Sequence, residues 1–160
     1  MNKISIVMGS ESDLGTVNEA INVLKKFKVG FDIRVLSAHR APDNLRSYVE
    51  EAHKKGIKVF IAAAGGAAAL AGVIASNTNL PVIGIPIETK ALKGLDSLLS
   101  TVQMPTGVPV ATMAIGKSGA RNAGIFALEI LAISDKKIAV KLAKHRKDMR
   151  LKVTKTKIKL

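Results

Sequence analysis

Short apolar runs alternate along this chain with segments whose apolar residues recur at helical spacing. The apolar runs are β-rich and mostly lack strict polar alternation, which is typical of strands buried on both faces. They lie at 4–8, 32–36, 58–62, 82–85 and 110–115. Helical patterns occupy 13–27, 42–55, 66–77, 94–102, 119–133 and 135–151. This alternation predicts a doubly wound parallel sheet with helices on both faces, a three-layer α/β fold.

The length of 160 residues fits one compact domain. No internal repeat of fixed period occurs, and no linker-like stretch appears before about residue 151. We therefore expect a single α/β domain over 1–150, followed by a basic C-terminal tail over 151–160. The chain has no cysteine, which excludes disulfides, thiolate catalysis and cysteine-ligated metals. With three histidines in all, we expect no metal site.

The net charge of +13 is concentrated at the C-terminus. Residues 136–160 hold eleven Lys and Arg against one acid, whereas residues 1–135 hold fourteen bases and eleven acids. A basic tail of this kind is more often a solvated extension than a specific binder. A nucleic-acid-binding module that uses this tail is the non-enzyme alternative. Aromatic residues for stacking on bases make up only 3% of the chain, so we expect no specific nucleic-acid partner.

One uncharged segment, 59–75, is at the lower limit of length for a membrane span. It is rich in Ala and Gly, and a Gly65-Gly66 pair in its middle fits a turn better than a spanning helix. The first apolar run is too short for a signal sequence, because polar residues follow it at once. We expect a soluble, cytoplasmic protein without a membrane partner.

Polar and small residues follow the first three predicted strands, where ligands bind in a doubly wound sheet. Ser10, Ser12 and Asp13 follow the first strand; they can present hydroxyls and amides to an anion, or simply cap the next helix. The pair Gly65 and Gly66 follows the third strand. These glycines allow close approach of the backbone to a ligand, or close packing of helix on sheet.

The loop after the second strand carries the strongest candidates for chemistry. It contains His39 and Arg40 just before Pro42, which is suited to the first turn of a helix. Arginine suits a phosphate or carboxylate, and histidine can move a proton near neutral pH. A lone His beside an Arg is more often a surface residue. The position at the carboxyl edge of the sheet favours a functional role.

Together these motifs resemble those of a known family, the N5-carboxyaminoimidazole ribonucleotide mutases of purine biosynthesis. The similarity covers roughly residues 3–150 in order, which exceeds what one short motif gives by chance. The matching segments are Gly9-Ser10-Glu11-Ser12-Asp13, Ser37-Ala38-His39-Arg40-Ala41-Pro42-Asp43, Gly65-Gly66-Ala67-Ala68, Pro81-Val82-Ile83-Gly84-Ile85-Pro86, Gly94-Leu95-Asp96-Ser97-Leu98-Leu99-Ser100, Gln103-Met104-Pro105, Gly107-Val108-Pro109-Val110, Ala111-Thr112 and Asn122-Ala123-Gly124.

The resemblance implies a flavodoxin-like fold and a homo-octamer with active sites between subunits. It implies no metal and no organic cofactor. The implied reaction moves a carboxyl group from the exocyclic nitrogen of a ribonucleotide to ring carbon C4. One histidine can give the first proton and accept the second, so that no net proton is consumed.

By position in the family motifs, His39 matches the general acid/base and Arg40 the phosphate-binding arginine. The remaining substrate-binding positions implied by the resemblance are Ser10, Ser12, Asp13, Ser37, Ala38, Gly65, Gly66 and Leu70.

Two residues depart from the family pattern. Ala69 stands where most members have a histidine, and Ala71 replaces the usual proline. A related branch, the aminoimidazole ribonucleotide carboxylases that use carbon dioxide directly, also has Ala-Leu-x-Gly here. That branch typically carries lysine in place of Arg40 and lacks the Gly-Gly-Ala-Ala sequence. Direct carboxylation of the unsubstituted nucleotide is therefore the alternative enzyme activity.

Overall fold

The computed structural model describes residues 2–156, which form five strands, six α-helices and one 3₁₀ turn. The strands are β1 Ile4–Met8, β2 Phe31–Val35, β3 Val59–Ala64, β4 Val82–Pro86 and β5 Ala111–Thr112. The helices are α1 Leu14–Phe27, α2 Pro42–Lys54, α3 Leu70–Ala75, α4 Leu95–Val102, α5 Gly116–Ala132 and α6 Lys136–Lys155. The 3₁₀ turn, Glu11–Asp13, leads directly into α1.

The five strands form one sheet in the order β2-β1-β3-β4-β5, and every neighbouring pair is parallel. At the centre, Ile6 of β1 pairs with Ile33 of β2 and with Ile61 of β3. This order is the flavodoxin-like version of the doubly wound sheet. The predicted three-layer α/β fold is confirmed.

Apolar side chains fill both faces of the sheet, as expected for strands that lack polar alternation. On one face, α1, α5 and the first half of α6 pack against β1, β3 and β4 around a core that includes Ile6, Leu24 and Leu128. On the other face, α2 and α3 pack around Phe60 and Leu45. The sheet is therefore covered on both sides, and its loops are left to carry the polar chemistry.

Two elements differ from the pattern-based prediction. The helix predicted over 66–77 begins only at Leu70, because Gly66 adopts φ +70° and the amides of Ala68 and Ala69 bond within the loop. The last strand is confined to Ala111–Thr112 because only these two residues pair with β4. Both differences lie at the carboxyl edge of the sheet, where the chain turns sharply.

The final helix, α6, runs without a break from Lys136 to Lys155. The boundary expected at residue 151 falls inside this helix and stays a prediction, and residues 157–160 of the proposed tail lie outside the described residues. Within residues 2–156, no helix is both long and apolar enough to cross a membrane.

Two helical glycines predict opposite effects on stability. A Cβ at Gly119 would overlap the backbone carbonyl of Ala114, whereas a Cβ at Gly15 meets nothing within 4 Å. Gly119→Ala should lower the free energy of unfolding by at least about 2 kcal/mol, through overpacking. Gly15→Ala should raise it by about 0.5–1 kcal/mol, through helix propensity and a less flexible unfolded chain. Urea denaturation at equal protein concentration measures both, and equal shifts of the same sign would contradict this packing.

Candidate active site

A cavity of about 450 Å³ opens at the carboxyl edge of the sheet. The loops that follow β1, β2, β3 and β4 all contribute to its wall. Because all strands are parallel, these loops leave the sheet on the same side. The expected convergence of the strand-end loops is what the structure shows.

The loop after β1 brings Ser10, Ser12 and Asp13 to the cavity. Ser10 is the N-cap of the 3₁₀ turn: its Oγ accepts from the Ser12 amide (3.3 Å) and from the Ser12 hydroxyl (2.9 Å). Asp13 Oδ2 accepts from the Ser10 amide (3.2 Å), which completes a capping box. These residues thus cap the turn and also line the cavity.

Asp13 is the buried carboxylate of this wall, with 8% of the residue exposed. Burial raises the pKa of its carboxyl from the usual 3.8, while the hydrogen bonds from Ser10 and Ser12 act in the lowering direction. The Asp13 carboxylate stays oriented, because its Oδ2 accepts from the Ser10 amide and the Ser12 hydroxyl lies 3.5 Å from its Oδ1.

The loop after β2 brings Ser37, Ala38, His39 and Arg40 to the cavity. Arg40 extends to the loop after β1, where its Nη2 donates a hydrogen bond to the Gly9 carbonyl (3.0 Å). Its Nε donates to Ser37 Oγ in its own loop (3.3 Å). Because these contacts fix the guanidinium plane, its remaining N–H groups face a defined direction.

The His39 imidazole is exposed and makes no hydrogen bond to any residue within 2–156. His39 does not cap α2: the N-cap residue of this helix is Ala41, and no side chain makes a capping hydrogen bond there. Both ring nitrogens are therefore available to a ligand in the cavity.

The loop after β3 supplies Gly65 and Leu70, together with a small apolar wall that includes Ala67 and Ala68. Gly66 lies in the same loop but not on the cavity wall: its amide donates to Ser97 Oγ (3.0 Å). Its assignment as a substrate-binding residue stays a prediction. Nine of the ten predicted site residues thus meet at one cavity.

The loop after β4, which carries none of the predicted site residues, completes the wall with Ile87, Glu88 and Thr89. The signal was present, since this loop also leaves the carboxyl edge of a parallel strand. The residue that joins it to the third loop is Ser97 on α4, which is fully buried. Its Oγ accepts from the Gly66 amide (3.0 Å) and donates to the Ile87 carbonyl (2.7 Å).

No group of three or more histidines, aspartates and glutamates within residues 2–156 is placed to hold a metal ion. The groups able to act in the cavity are an imidazole, a guanidinium, two carboxylates and several hydroxyls. This set suits an anionic, hydroxylated ligand and a proton transfer.

The buried Asp13 predicts a pH dependence of stability. Its folded-state pKa exceeds the unfolded value, so the ionised form costs folding free energy at neutral pH, and this cost disappears as the pH falls through the raised pKa. The stability of the native chain relative to Asp13→Asn should therefore increase as the pH falls from neutral toward the usual carboxyl pKa of 3.8. Urea denaturation at constant ionic strength measures this difference, and a difference that falls with decreasing pH would contradict it.

Comparisons with known proteins identify the family of the chain. The AIR carboxylase family matches residues 3–152. N5-carboxyaminoimidazole ribonucleotide mutase of Saccharolobus solfataricus is 52% identical over 158 residues, covering 99% of both chains. The enzyme of that name from Pyrococcus abyssi is 55% identical, covering 94% of this chain and 85% of its own.

A crystal structure of Treponema denticola PurE has the same fold, with a TM-score of 0.87 at 26% identity and coverage of 96% of this chain and 95% of its own. The similarity in sequence thus extends over nearly the whole chain, as the strand-end motifs indicate, and the similarity in fold covers the complete sheet with its loops. The chain belongs to the AIR carboxylase family.

Proposed function

We propose that the protein is an isomerase of purine (IMP) biosynthesis that converts N5-carboxyaminoimidazole ribonucleotide into 4-carboxy-5-aminoimidazole ribonucleotide. The observation that carries this proposal is the pairing of an unengaged His39 with a braced Arg40 in one strand-end cavity. Proteins named for this reaction are about half identical to the chain along nearly all of its length.

The proposed reaction needs one proton donor that later becomes the acceptor. His39, as imidazolium, protonates the exocyclic nitrogen, the N–C bond breaks with its electron pair going to nitrogen, and carbon dioxide is released. Ring carbon C4 of the aminoimidazole then attacks carbon dioxide, and the C4 proton passes to the now neutral His39. Atoms and protons balance, and the histidine ends in its starting form.

The anionic end of the substrate is assigned to Arg40. Its guanidinium plane is held by Gly9 and Ser37, so little conformational entropy is lost when its free N–H groups grip a phosphate in bidentate geometry. The adjacent wall is lined by Ser10, Ser12 and Asp13. We assign these residues to contacts with the phosphate oxygens and the ribose hydroxyls of the substrate. Ser37 and Ala38 line the cavity beside them. We expect the reaction to need no metal and no organic cofactor.

The released carbon dioxide must stay beside C4 until the new bond forms. The wall formed by Ala64, Ala67, Ala68 and Leu70 is small and apolar, so it can hold an uncharged linear molecule and keep water away from it. In the same loop, Gly65 lines the cavity and the Gly66 amide donates to Ser97 Oγ, which holds the loop from behind. Confinement of carbon dioxide is what separates this activity from direct carboxylation.

Replacement of His39 tests the proton transfer. His39→Asn should keep the fold and substrate binding while kcat falls by about 10²–10⁴-fold, the usual effect of losing a positioned acid/base. His53→Asn is the matched control, because His53 is exposed on α2 and does not line the cavity. Steady-state assays measure both, and a His39→Asn protein with native kcat would overturn the mechanism.

The same assay separates the two enzyme activities. The wild-type chain should convert the N5-carboxylated nucleotide without added bicarbonate. Turnover of the unsubstituted nucleotide with bicarbonate, but not of the carboxylated one, would instead assign direct carboxylation, the activity that the sequence left open at Ala69.

We also infer that the chain forms a homo-oligomer, with eight subunits as the resemblance implies. An apolar stripe on and before α4 is exposed in the single chain: Leu92, Leu95, Leu99 and Val102 are 57%, 50%, 49% and 47% exposed. Contiguous apolar surface of this kind marks interaction sites. Since α4 also carries Ser97, an interface here would lie directly behind the cavity loops.

Leu99→Lys should therefore shift the assembly toward smaller species, because burying an unpaired ammonium in an apolar contact is costly. Val140→Lys is the control, since Val140 is 70% exposed on α6, away from this stripe. Light scattering at micromolar concentration should give the wild type the mass of eight 16.9-kDa chains. A wild-type monomer would contradict the proposed assembly.

We expect the protein to act in the cytoplasm, because the proposed substrate is a charged phosphorylated nucleotide that does not cross membranes freely. The groups that suit this substrate lie in the nearly neutral body of the chain and not in the basic C-terminal segment. We accordingly propose no specific nucleic-acid partner and no membrane partner.

A further inference from the structure

Glu88 is the one ionisable group on the cavity wall to which the proposed function assigns no role. It follows β4 directly, in the loop between Ile87 and Thr89. Its carboxylate is exposed and has no hydrogen bond or salt bridge to any side chain or backbone group of residues 2–156. Asp13, the other carboxylate of the cavity, is already engaged by its own turn.

Hydrogen bonds hold the residues on both sides of Glu88, through the backbone at Ile87 and through the side chain at Thr89. The Ile87 amide donates to the Ala64 carbonyl (2.9 Å), and the Ile87 carbonyl accepts from Ser97 Oγ (2.7 Å). On the other side, Thr89 Oγ1 donates to Asp96 Oδ1 (2.8 Å). The Glu88 carboxylate, which lines the cavity wall and has no partner within residues 2–156, is free to accept a hydrogen bond from a ligand.

Gly94 adds a steric reason for this placement. It has φ +88°, and a Cβ there would come within 3.1 Å of the Glu88 Cα and 2.6 Å of Ile115 Cγ2. The absence of a side chain at Gly94 therefore lets the Glu88 backbone pack closely against the start of α4.

The order of strands fixes where Glu88 stands relative to Arg40. Arg40 follows β2 and Glu88 follows β4, with β1 and β3 between them. Three steps of strand spacing separate the two loops by about 14 Å. With the phosphate at Arg40, the other end of the substrate, the ring, extends toward the loops after β3 and β4.

The β3 and β4 loops also touch each other at this end of the cavity. A Cβ at Gly65 would lie 3.5 Å from Ile87 Cβ and 3.6 Å from Thr89 Cγ2, so the residues on either side of Glu88 pack against Gly65. The small apolar wall assigned to carbon dioxide and the loop that carries Glu88 are therefore neighbours at this end of the cavity.

We propose that Glu88 accepts a hydrogen bond from the N–H of the exocyclic 5-amino nitrogen of the substrate, and so orients the ring and supports its reaction at C4. The inference rests on the proposed function. That nitrogen carries at least one hydrogen as reactant, as the carbon dioxide-bearing intermediate and as product. An acceptor there favours donation of the nitrogen lone pair into the ring, which makes C4 more nucleophilic, and Glu88 itself gains and loses no proton.

Two substitutions distinguish the role of Glu88 as a hydrogen-bond acceptor from the effect of its negative charge. Glu88→Gln keeps an acceptor oxygen and should retain kcat/KM within about threefold of the wild type, whereas Glu88→Met keeps the length without an acceptor and should lose about 10–100-fold. The loss should fall mainly in kcat, because the bond strengthens as electron density moves from nitrogen to C4. The pH profile should keep its shape, since His39 is unchanged.

Glu50→Met is the matched control, because Glu50 is an exposed carboxylate on α2 that pairs with Arg46 and does not line the cavity. Its kinetics should equal those of the wild type. If Glu88→Met lowers the melting temperature, Glu88→Ala repeats the test with a smaller side chain that also lacks the acceptor.

Native kcat/KM in Glu88→Met and Glu88→Ala would overturn the proposal. Equal losses in Glu88→Gln and Glu88→Met would also overturn it, because they would assign the effect to charge. A loss confined to KM would place the contact away from the reacting ring and would contradict it as well. A wild-type chain that does not turn over the carboxylated nucleotide would instead refute the proposed function.

Discussion

The hydrogen bonding between parallel strands continues past the strand ends, and the active-site cavity depends on this continuation. The Leu36 amide donates to the Met8 carbonyl (3.0 Å), the Gly9 amide to the Ala63 carbonyl (3.0 Å), and the Ile87 amide to the Ala64 carbonyl (2.9 Å). These bonds tie each loop to its neighbour at the residue where it leaves the sheet. Four loops thus hold a fixed spacing, and polar side chains that are far apart in sequence face one cavity.

A second set of contacts supports the loops from behind. The buried hydroxyl of Ser97 joins the glycine loop after β3 to the loop after β4, and Arg40 joins the loop after β2 to the Gly9 carbonyl. The Ser97 hydroxyl is buried and hydrogen-bonded both as donor and as acceptor, so an alternative arrangement of these two loops would leave a donor or acceptor unsatisfied. This bracing leaves His39 and Glu88 as side chains with a fixed backbone and without protein partners, which is the condition for reacting with or orienting a ligand.

Much of the fold and most of the site could be predicted from sequence, because the relevant signals are local. Buried strands have apolar runs, and the residues after the first three runs are chemically distinctive. Together with the family resemblance, which supplied Ser37, Ala38 and Leu70, these signals predict ten site residues, nine of which line one cavity. Prediction of element boundaries from sequence is less accurate where tertiary contacts determine the local conformation. Alanines favour a helix from residue 66, but the loop geometry at Gly66 delays α3 to Leu70. Glu88 has no distinctive local sequence; only the strand order places it opposite Arg40.

In the proposed reaction, the cavity confines carbon dioxide between its release from nitrogen and its capture at C4. The most direct measurement supplies substrate whose migrating carboxyl carries ¹³C, in buffer with excess unlabelled bicarbonate, and follows the isotope in the product by mass spectrometry. We expect this confinement to keep the label in the product in nearly every turnover. Loss of the label to the level of the bicarbonate pool would show that carbon dioxide exchanges freely with solvent, and would contradict it.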